Sequence, residues 1–222
     1  MTLQDQPPPG DASRLSGRLW VAVRRFDDVL ASSVLSRAFA MLPPGDVADR
    51  VVVPVLRRLG ESWQDDPRVV AAEHFTSSLV RARFSAHSSG GAPDGPLAVC
   101  FTPAGDQHDL GLHLAAAVLV VDGWRTRFLG ADTPPASARS TVAELSPGLV
   151  LVGACMRSAA EDFLTSDVAG GRPVVAGGAG FLPGDTDEAA GLVVHHGPFA
   201  SVPAVARRLL ERADAGGAPT AR

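Results

Sequence analysis

The residues of this chain best placed to do chemistry are a histidine and a carboxylate within residues 106–111. Asp106 stands two residues before His108, and Gly111 follows three residues after it, where a glycine permits a turn. A carboxylate beside an imidazole fixes the tautomer of the ring and raises its basicity, as it does for metal-ligating histidines. The spacing Asp-x-His-x-x-Gly therefore indicates a metal-binding histidine at position 108.

The pattern around His108 predicts a sheet that holds it at a binding edge. Short apolar runs, typical of buried strands, alternate with segments of helical length; the runs cover residues 97–101, 125–129, 149–152, 173–176 and 192–194. This alternation predicts an α/β domain with a doubly wound, Rossmann-like parallel sheet of five strands. Ligands bind beyond the carboxyl ends of such strands. His108 follows the first strand, so we expect it there.

The first part of the chain follows a different pattern. Apolar residues recur every three or four positions, as in Leu15, Leu19 and Val23, which predicts a four-helix bundle over residues 12–88. Pro54 falls inside the third predicted helix and indicates a kink or a first-turn position. Residues 65–67 are expected to open the fourth helix, because proline suits a first turn.

The predicted domains follow from these two patterns and from the composition between them. Residues 89–96 are rich in glycine and proline and are interpreted as a linker. The α/β domain then covers residues 97–213. Residues 1–11 and 214–222 are expected to be a disordered N-terminus and a disordered tail.

Composition excludes several function classes. The net charge of −4 argues against nucleic-acid binding. Residues 1–11 lack the apolar core of a signal peptide, and no apolar run reaches the roughly 18 residues that a membrane span needs. Cys100 and Cys155 both fall in apolar, strand-like runs, without the spacing of a disulfide framework or a zinc site. We therefore expect a cytoplasmic protein that does not contact a membrane.

Small residues end the third and fourth predicted strands: Gly153, Cys155, Gly177 and Gly178. Together with residues 106–111 they resemble the motif order of B12-binding domains, which is Asp-x-His-x-x-Gly, then Ser-x-Leu, then Gly-Gly. The resemblance implies that His108 is the lower axial cobalt ligand of cobalamin and that the small residues line its nucleotide tail. Gly153 takes the place of the usual serine, so the serine's hydrogen bond to the tail base is missing.

A second motif lies in the predicted bundle. Trp63 is followed by nine residues and then by Glu73 and His74, which resembles the signature of the light-sensing B12 family of carotenoid-gene repressors. The resemblance implies that Trp63 and Glu73 enclose the 5′-deoxyadenosyl group of adenosylcobalamin, whose cobalt–carbon bond light breaks. Gln64 replaces the repressors' histidine after the tryptophan, so the same lit-state bis-histidine adduct cannot form there. His74 is the nearest substitute by sequence.

The resemblance implies a light or B12 sensor without catalytic turnover. The alternatives are a corrinoid carrier for methyl transfer and the B12 subunit of a mutase, and the Trp63 and Glu73 cap favours the sensor. The chain begins almost at the bundle, without the repressors' helix-turn-helix region, so direct nucleic-acid binding is not expected. Signalling is expected through a homo-oligomer, a dimer in the simplest case, or through an unidentified protein partner. Photocobilins, which the chain also resembles, add biliverdin as a second chromophore, although no motif identifies a bilin site.

Overall fold

The chain divides between Ala86 and His87 into two units, each with its own internal contacts. A computed structural model describes residues 9–61 and 68–215 of the chain. Over these residues, no helix combines the length and the apolar character that crossing a membrane would require.

The first unit is helical, as the spacing of its apolar residues predicts. Its segments are α1 (Pro9–Arg24), α2 (Asp28–Met41), α3 (Pro44–Asp46), a π-helical stretch (Val47–Val52), α4 (Val53–Glu61) and α5 (Arg68–Ser85). The stretch from Pro44 to Glu61 is continuous, so it serves as a single third helix of the predicted bundle. Leu15, Leu19 and Val23 are all buried in this unit.

The irregularity expected at Pro54 lies in the turn before it. The N–H of Val53 donates to the carbonyl of Ala48, five residues earlier rather than four. Proline has no N–H, and its ring collides with the carbonyl four residues before it in a regular helix. A wider π-helical turn ahead of Pro54 relieves that collision while the helix continues.

The predicted N-terminal boundary of the bundle is three residues too late. The helix α1 begins at Pro9, so residues 9–11 are helical rather than disordered. Proline is favoured in a first helical turn, and the charge of Asp11 complements the positive end of the helix dipole. Trp63, Gln64 and residues 65–67 lie outside the described residues.

The second unit contains the predicted five-stranded parallel sheet. Its strands are β1 (Leu97–Pro103), β2 (Arg125–Thr133), β3 (Leu149–Gly153), β4 (Val174–Gly177) and β5 (Leu192–Val194). These five strands pair with one another in parallel, in the order β2-β1-β3-β4-β5. Each predicted strand is found, because runs of apolar, largely β-branched residues are typical of strands covered on both faces. In this order the chain reverses direction across the sheet between β1 and β3.

Helices cover both faces of the sheet. One apolar layer joins the sheet to α6 (Leu110–Val121) and α9 (Val202–Ala215), and the other joins it to α7 (Pro135–Leu145) and α8 (Arg157–Leu164). The helix α9 continues to Ala215, so the predicted tail begins two residues later than residue 214. The predicted doubly wound α/β fold is thereby confirmed.

Residues 89–96, interpreted as a linker, are attached to the edge strand β2. Gly90 pairs with Thr126, and the N–H of Thr126 donates to the carbonyl of Gly90 at 2.9 Å. The N–H of Arg125 donates to the carbonyl of Pro96, also at 2.9 Å. A Cβ added to Gly91, which has φ +106°, would lie 1.9 Å from the carbonyl oxygen of Trp124. The glycines that suggest flexibility therefore permit close packing that covers an exposed sheet edge.

Candidate functional site

The candidate site lies where the carboxyl ends of β1 and β3 meet. These two strands are neighbours in the sheet, and the strand order reverses between them. Residues 104–109 lead from β1 to α6, and residues 154–156 lead from β3 to α8. Doubly wound sheets bind their ligands at such a reversal point.

The Asp106 carboxylate joins the two loops at this point. Its side chain is fully buried, and Oδ1 accepts the backbone N–H of His108 at 2.8 Å. Oδ2 accepts the backbone N–H groups of Cys155 at 2.5 Å and Met156 at 2.8 Å. Met156 immediately precedes α8, so the carboxylate also lies at the positive end of that helix.

The charge of Asp106 is stabilised by these donors. Burial acts to raise the pKa of its carboxyl group, but the hydrogen bonds from Met156, His108 and Cys155 outweigh burial and hold the pKa below its usual range. An anionic carboxylate that accepts several N–H bonds remains ionised at neutral pH.

The imidazole of His108 is oriented by that carboxylate. Its Nδ1 lies 2.8 Å from Asp106 Oδ1. Because an ionised carboxylate can only accept, Nδ1 must carry the proton, which leaves the lone pair of Nε2 available to a metal. The side chain is 59% exposed, so a ligand can reach Nε2. The residues present therefore fit a cobalt ion that is bound through one imidazole.

Gly111 has a different role from the predicted turn. It lies in the first turn of α6, and its φ is not positive, so its backbone does not require a glycine. A Cβ added there would meet only Phe199 Cζ, at 4.0 Å. The missing side chain therefore leaves the start of α6 open beside His108.

Among the small residues that end β3 and β4, Gly153 has room for a side chain, whereas Gly177 and Gly178 lie close to backbone carbonyl groups. A Cβ on Gly153 would lie 3.5 Å from Leu112 Cβ, which is ordinary contact, so a serine would fit at this position. Gly178 has φ +101°, and its Cβ would lie 2.3 Å from the carbonyl oxygen of Ala154. A Cβ on Gly177 would lie 3.2 Å from the carbonyl oxygen of His195. Gly178 is thus required by the close approach of two loops, whatever ligand they hold.

The two cysteines differ in environment, contrary to the prediction that both lie in apolar strands. Cys100 is buried in β1, and burial raises the pKa of its thiol to about 12. Cys155 lies beyond the end of β3 and is exposed. Desolvation raises the pKa of its thiol, and the negative charge of Asp106 raises it further. Cys155 contributes its backbone N–H to the site through the bond to Asp106.

Two residues of the site were not predicted from the sequence. Thr102, which is fully buried near the end of β1, donates through Oγ1 to the carbonyl of Asp106 at 2.7 Å. Asp132, near the end of β2, accepts the N–H of Gly105 at 2.7 Å and the side-chain amide of Gln107 at 2.9 Å. The sequence holds a signal for Asp132, since the carboxyl ends of neighbouring parallel strands meet at one edge.

In the helical unit, the described part of the predicted cap lies on α5. Glu73 accepts a hydrogen bond from Ser77 Oγ at 3.1 Å. His74 is 75% exposed, and its Nε2 lies 3.8 Å from Glu73 Oε2. The two residues are neighbours on α5, and their predicted partner Trp63 is outside the described residues.

Comparison with known proteins supports the resemblance. Residues 15–86 match the family described as B12 binding domain. The repressor CarA of Myxococcus xanthus is 32% identical over 184 residues, which is 80% of this chain and 61% of CarA. The repressor CarH of the same organism is 34% identical over 186 residues, 79% of this chain and 60% of CarH. The chain therefore spans about three fifths of the length of these relatives.

A solved structure shows the same fold. The monomethylamine corrinoid protein of Methanosarcina barkeri superposes with a TM-score of 0.66 at 16% sequence identity. The alignment covers 88% of this chain and 98% of that protein. The family match and the matches to CarA and CarH, rather than this structure, confirm the predicted resemblance to B12-binding proteins.

Proposed function

We propose that this chain binds cobalamin through His108 and senses light by means of that cofactor, which its similarity to B12-binding proteins supports. The observation that carries the binding step is the Asp106–His108 pair, which presents Nε2 of an oriented imidazole at the reversal point of the sheet. Asp106 holds the proton on Nδ1, and the N–H groups of Cys155 and Met156 hold Asp106. The pair thus favours lower-face ligation by a neutral imidazole.

The proposed cofactor is adenosylcobalamin, which supplies a cobalt–carbon bond that visible light breaks. Kinship with CarA and CarH supports this choice, as does the spacing of Trp63 and Glu73 in the helical unit. An indole offers a stacking surface for the adenine, and a carboxylate accepts hydrogen bonds from the ribose or the adenine edge. Ser77 fixes one oxygen of Glu73 for that task.

The proposed output is a change in self-association or in binding to a protein partner, without catalytic turnover. Loss of the adenosyl group would remove its proposed packing against Trp63 and Glu73. Packed interfaces respond to such a loss by switching between discrete arrangements rather than by deforming smoothly. A homodimer is the simplest assembly that could respond in this way.

A second chromophore, biliverdin, belongs to the proposal as a separate step. Burial raises the pKa of the Cys100 thiol, and desolvation and the charge of Asp106 raise the pKa of the Cys155 thiol. Neither thiol therefore favours a thioether bond, so the proposed bilin is held without a covalent link. Reconstitution with biliverdin tests it. Red-shifted absorption that survives gel filtration supports a bilin, and loss of that absorption on the column removes biliverdin from the proposal.

Absorption spectroscopy and gel filtration before and after green light test the sensor. We expect an irreversible change of the adenosylcobalamin spectrum together with a change in apparent size. A loaded protein whose spectrum and size are indifferent to light would contradict the sensor and favour a corrinoid carrier. The variant His108→Ala serves as the control for ligation, and an unchanged spectrum in that variant would refute His108 as the cobalt ligand.

A further inference from the structure

Asp132 lies in a β-bulge at the end of β2, beside the loop that bears His108. Between Phe101 and Pro103 of β1 there is one residue, whereas two residues separate their partners Gly130 and Thr133 in β2. The extra residue lies within the segment that contains Asp132. Bulges next to functional sites commonly redirect a side chain, and they end regular pairing.

The backbone of Asp132 is strained. Its φ is +53°, in the left-handed region that residues with a side chain rarely occupy. Aspartate tolerates this region better than most residues, because its short side chain can bond to nearby backbone groups. Strain of this kind persists where surrounding contacts hold it, and such positions cluster at functional sites.

The hydrogen bonds that hold Asp132 reach the loop of residues 104–109, which bears His108, and Thr102, which itself donates to that loop. The N–H of Asp132 donates to the carbonyl of Asp106 at 2.9 Å and to Thr102 Oγ1 at 3.0 Å. Its carboxylate accepts the N–H of Gly105 and the side-chain amide of Gln107. Residues on both sides of Asp106 are therefore tied to one aspartate on a different strand.

We propose that Asp132 is a positioning residue for the lower cobalt ligand. It fixes the loop before the cofactor binds, so that Asp106 reaches His108 Nδ1 and Nε2 is already aimed outward. The ligand in this inference rests on the proposed function, whereas the fixing of the loop rests on the geometry of the chain itself. Partners of this second layer around a ligand typically change affinity 10- to 100-fold when removed.

Four variants of the full chain test the role. Asp132→Ala removes both side-chain contacts, and Asp132→Asn keeps an acceptor for Gly105 and a residue that tolerates positive φ. Asp187→Ala is the matched control, because Asp187 also accepts backbone N–H bonds, from Ala189 and Ala190, in a loop that precedes β5. Gln107→Ala removes one contact without altering the bulge and replaces Asp132→Ala if that variant does not fold.

The first measurement uses the protein without cofactor. Hydrogen–deuterium exchange of the peptide covering residues 104–109 should accelerate about tenfold in Asp132→Ala and less in Asp132→Asn, and it should stay unchanged in Asp187→Ala. Exchange in Asp132→Ala equal to that of the wild type would overturn the proposed positioning. This result is independent of whether cobalamin binds at all.

The second measurement is titration with hydroxocobalamin, followed by absorption and electron paramagnetic resonance of the reduced cobalt. We expect affinity to fall at least tenfold in Asp132→Ala, with partial loss of the histidine-nitrogen signature and partial recovery of both in Asp132→Asn. Wild-type affinity with a full histidine signature in Asp132→Ala would overturn the inference. If the wild type itself does not bind hydroxocobalamin, the proposed function fails, and the exchange measurement alone decides whether Asp132 fixes the loop.

Discussion

At the scale of single residues, His108 is available to a ligand, whereas Asp106 holds the two loops of the site together. His108 is 59% exposed, whereas the side chain of Asp106 is fully buried and accepts hydrogen bonds from both loops. Removing an exposed side chain costs little stability, but disrupting a buried carboxylate leaves several donors without their partner. The two residues of one motif should therefore respond differently to substitution.

We expect Asp106→Asn to lower the free energy of unfolding of the cofactor-free protein by about 2 kcal/mol at pH 7, because an amide places a donor among backbone N–H groups. His108→Ala should lower it by less than about 1 kcal/mol. Urea unfolding followed by circular dichroism measures both. Equal losses in the two variants would contradict the assignment of Asp106 as the structural anchor.

The same carboxylate predicts how stability depends on pH. The pKa of Asp106 is lowered by the donors around it, so the folded state binds this proton less readily than the unfolded state. Its contribution is therefore present above the unfolded pKa of about 3.9 and is lost as pH falls through the lower folded value. Between about pH 5 and pH 3, the stability of Asp106→Asn should decline less than that of the wild type, as measured by urea unfolding at each pH.

At the scale of elements, the sequence predicts the strands well and the connections poorly. Apolar β-branched runs specify β1 to β5 through local composition, and periodicity specifies the helices. Asp132 could not be assigned a role in this way, since its contacts to Gly105 and Gln107 depend on strand register and on a bulge. The attachment of residues 89–96 to β2 could not be predicted for a related reason. Glycine-rich composition is the same whether a segment is free or packed closely against a strand.

The packed connection can be tested with two neighbouring glycines. Both have positive φ, +97° at Gly90 and +106° at Gly91, but a Cβ on Gly90 meets nothing within 4 Å while one on Gly91 meets the Trp124 carbonyl. Gly90→Ala should cost about 1 kcal/mol of unfolding free energy from backbone strain alone. Gly91→Ala should cost about 2 kcal/mol more, because the connection must move away from β2. Equal costs by urea unfolding would show that residues 89–96 are not held against the edge strand.

At the scale of the whole molecule, different residues are proposed to act on the two faces of the cofactor. His108 is proposed to hold the lower face of a bound cobalamin, whatever its upper ligand. Trp63 and Glu73 are proposed to contact the adenosyl group alone. Affinity for hydroxocobalamin and affinity for adenosylcobalamin would therefore report on different residues.

We expect Trp63→Ala to weaken adenosylcobalamin binding about tenfold while leaving hydroxocobalamin binding within about twofold, because stacking of a base on an aromatic ring contributes about 1–3 kcal/mol. His108→Ala should weaken both. Trp20→Ala is the matched control in the same unit, since Trp20 packs against the guanidinium of Arg58 at 4.1 Å. Titration of each variant with each cobalamin gives the ratio of the two affinities. If the ratio in Trp63→Ala equals that of the wild type, Trp63 does not contact the adenosyl group. The proposed cap would then be contradicted, and so would the reason to prefer a sensor over a carrier.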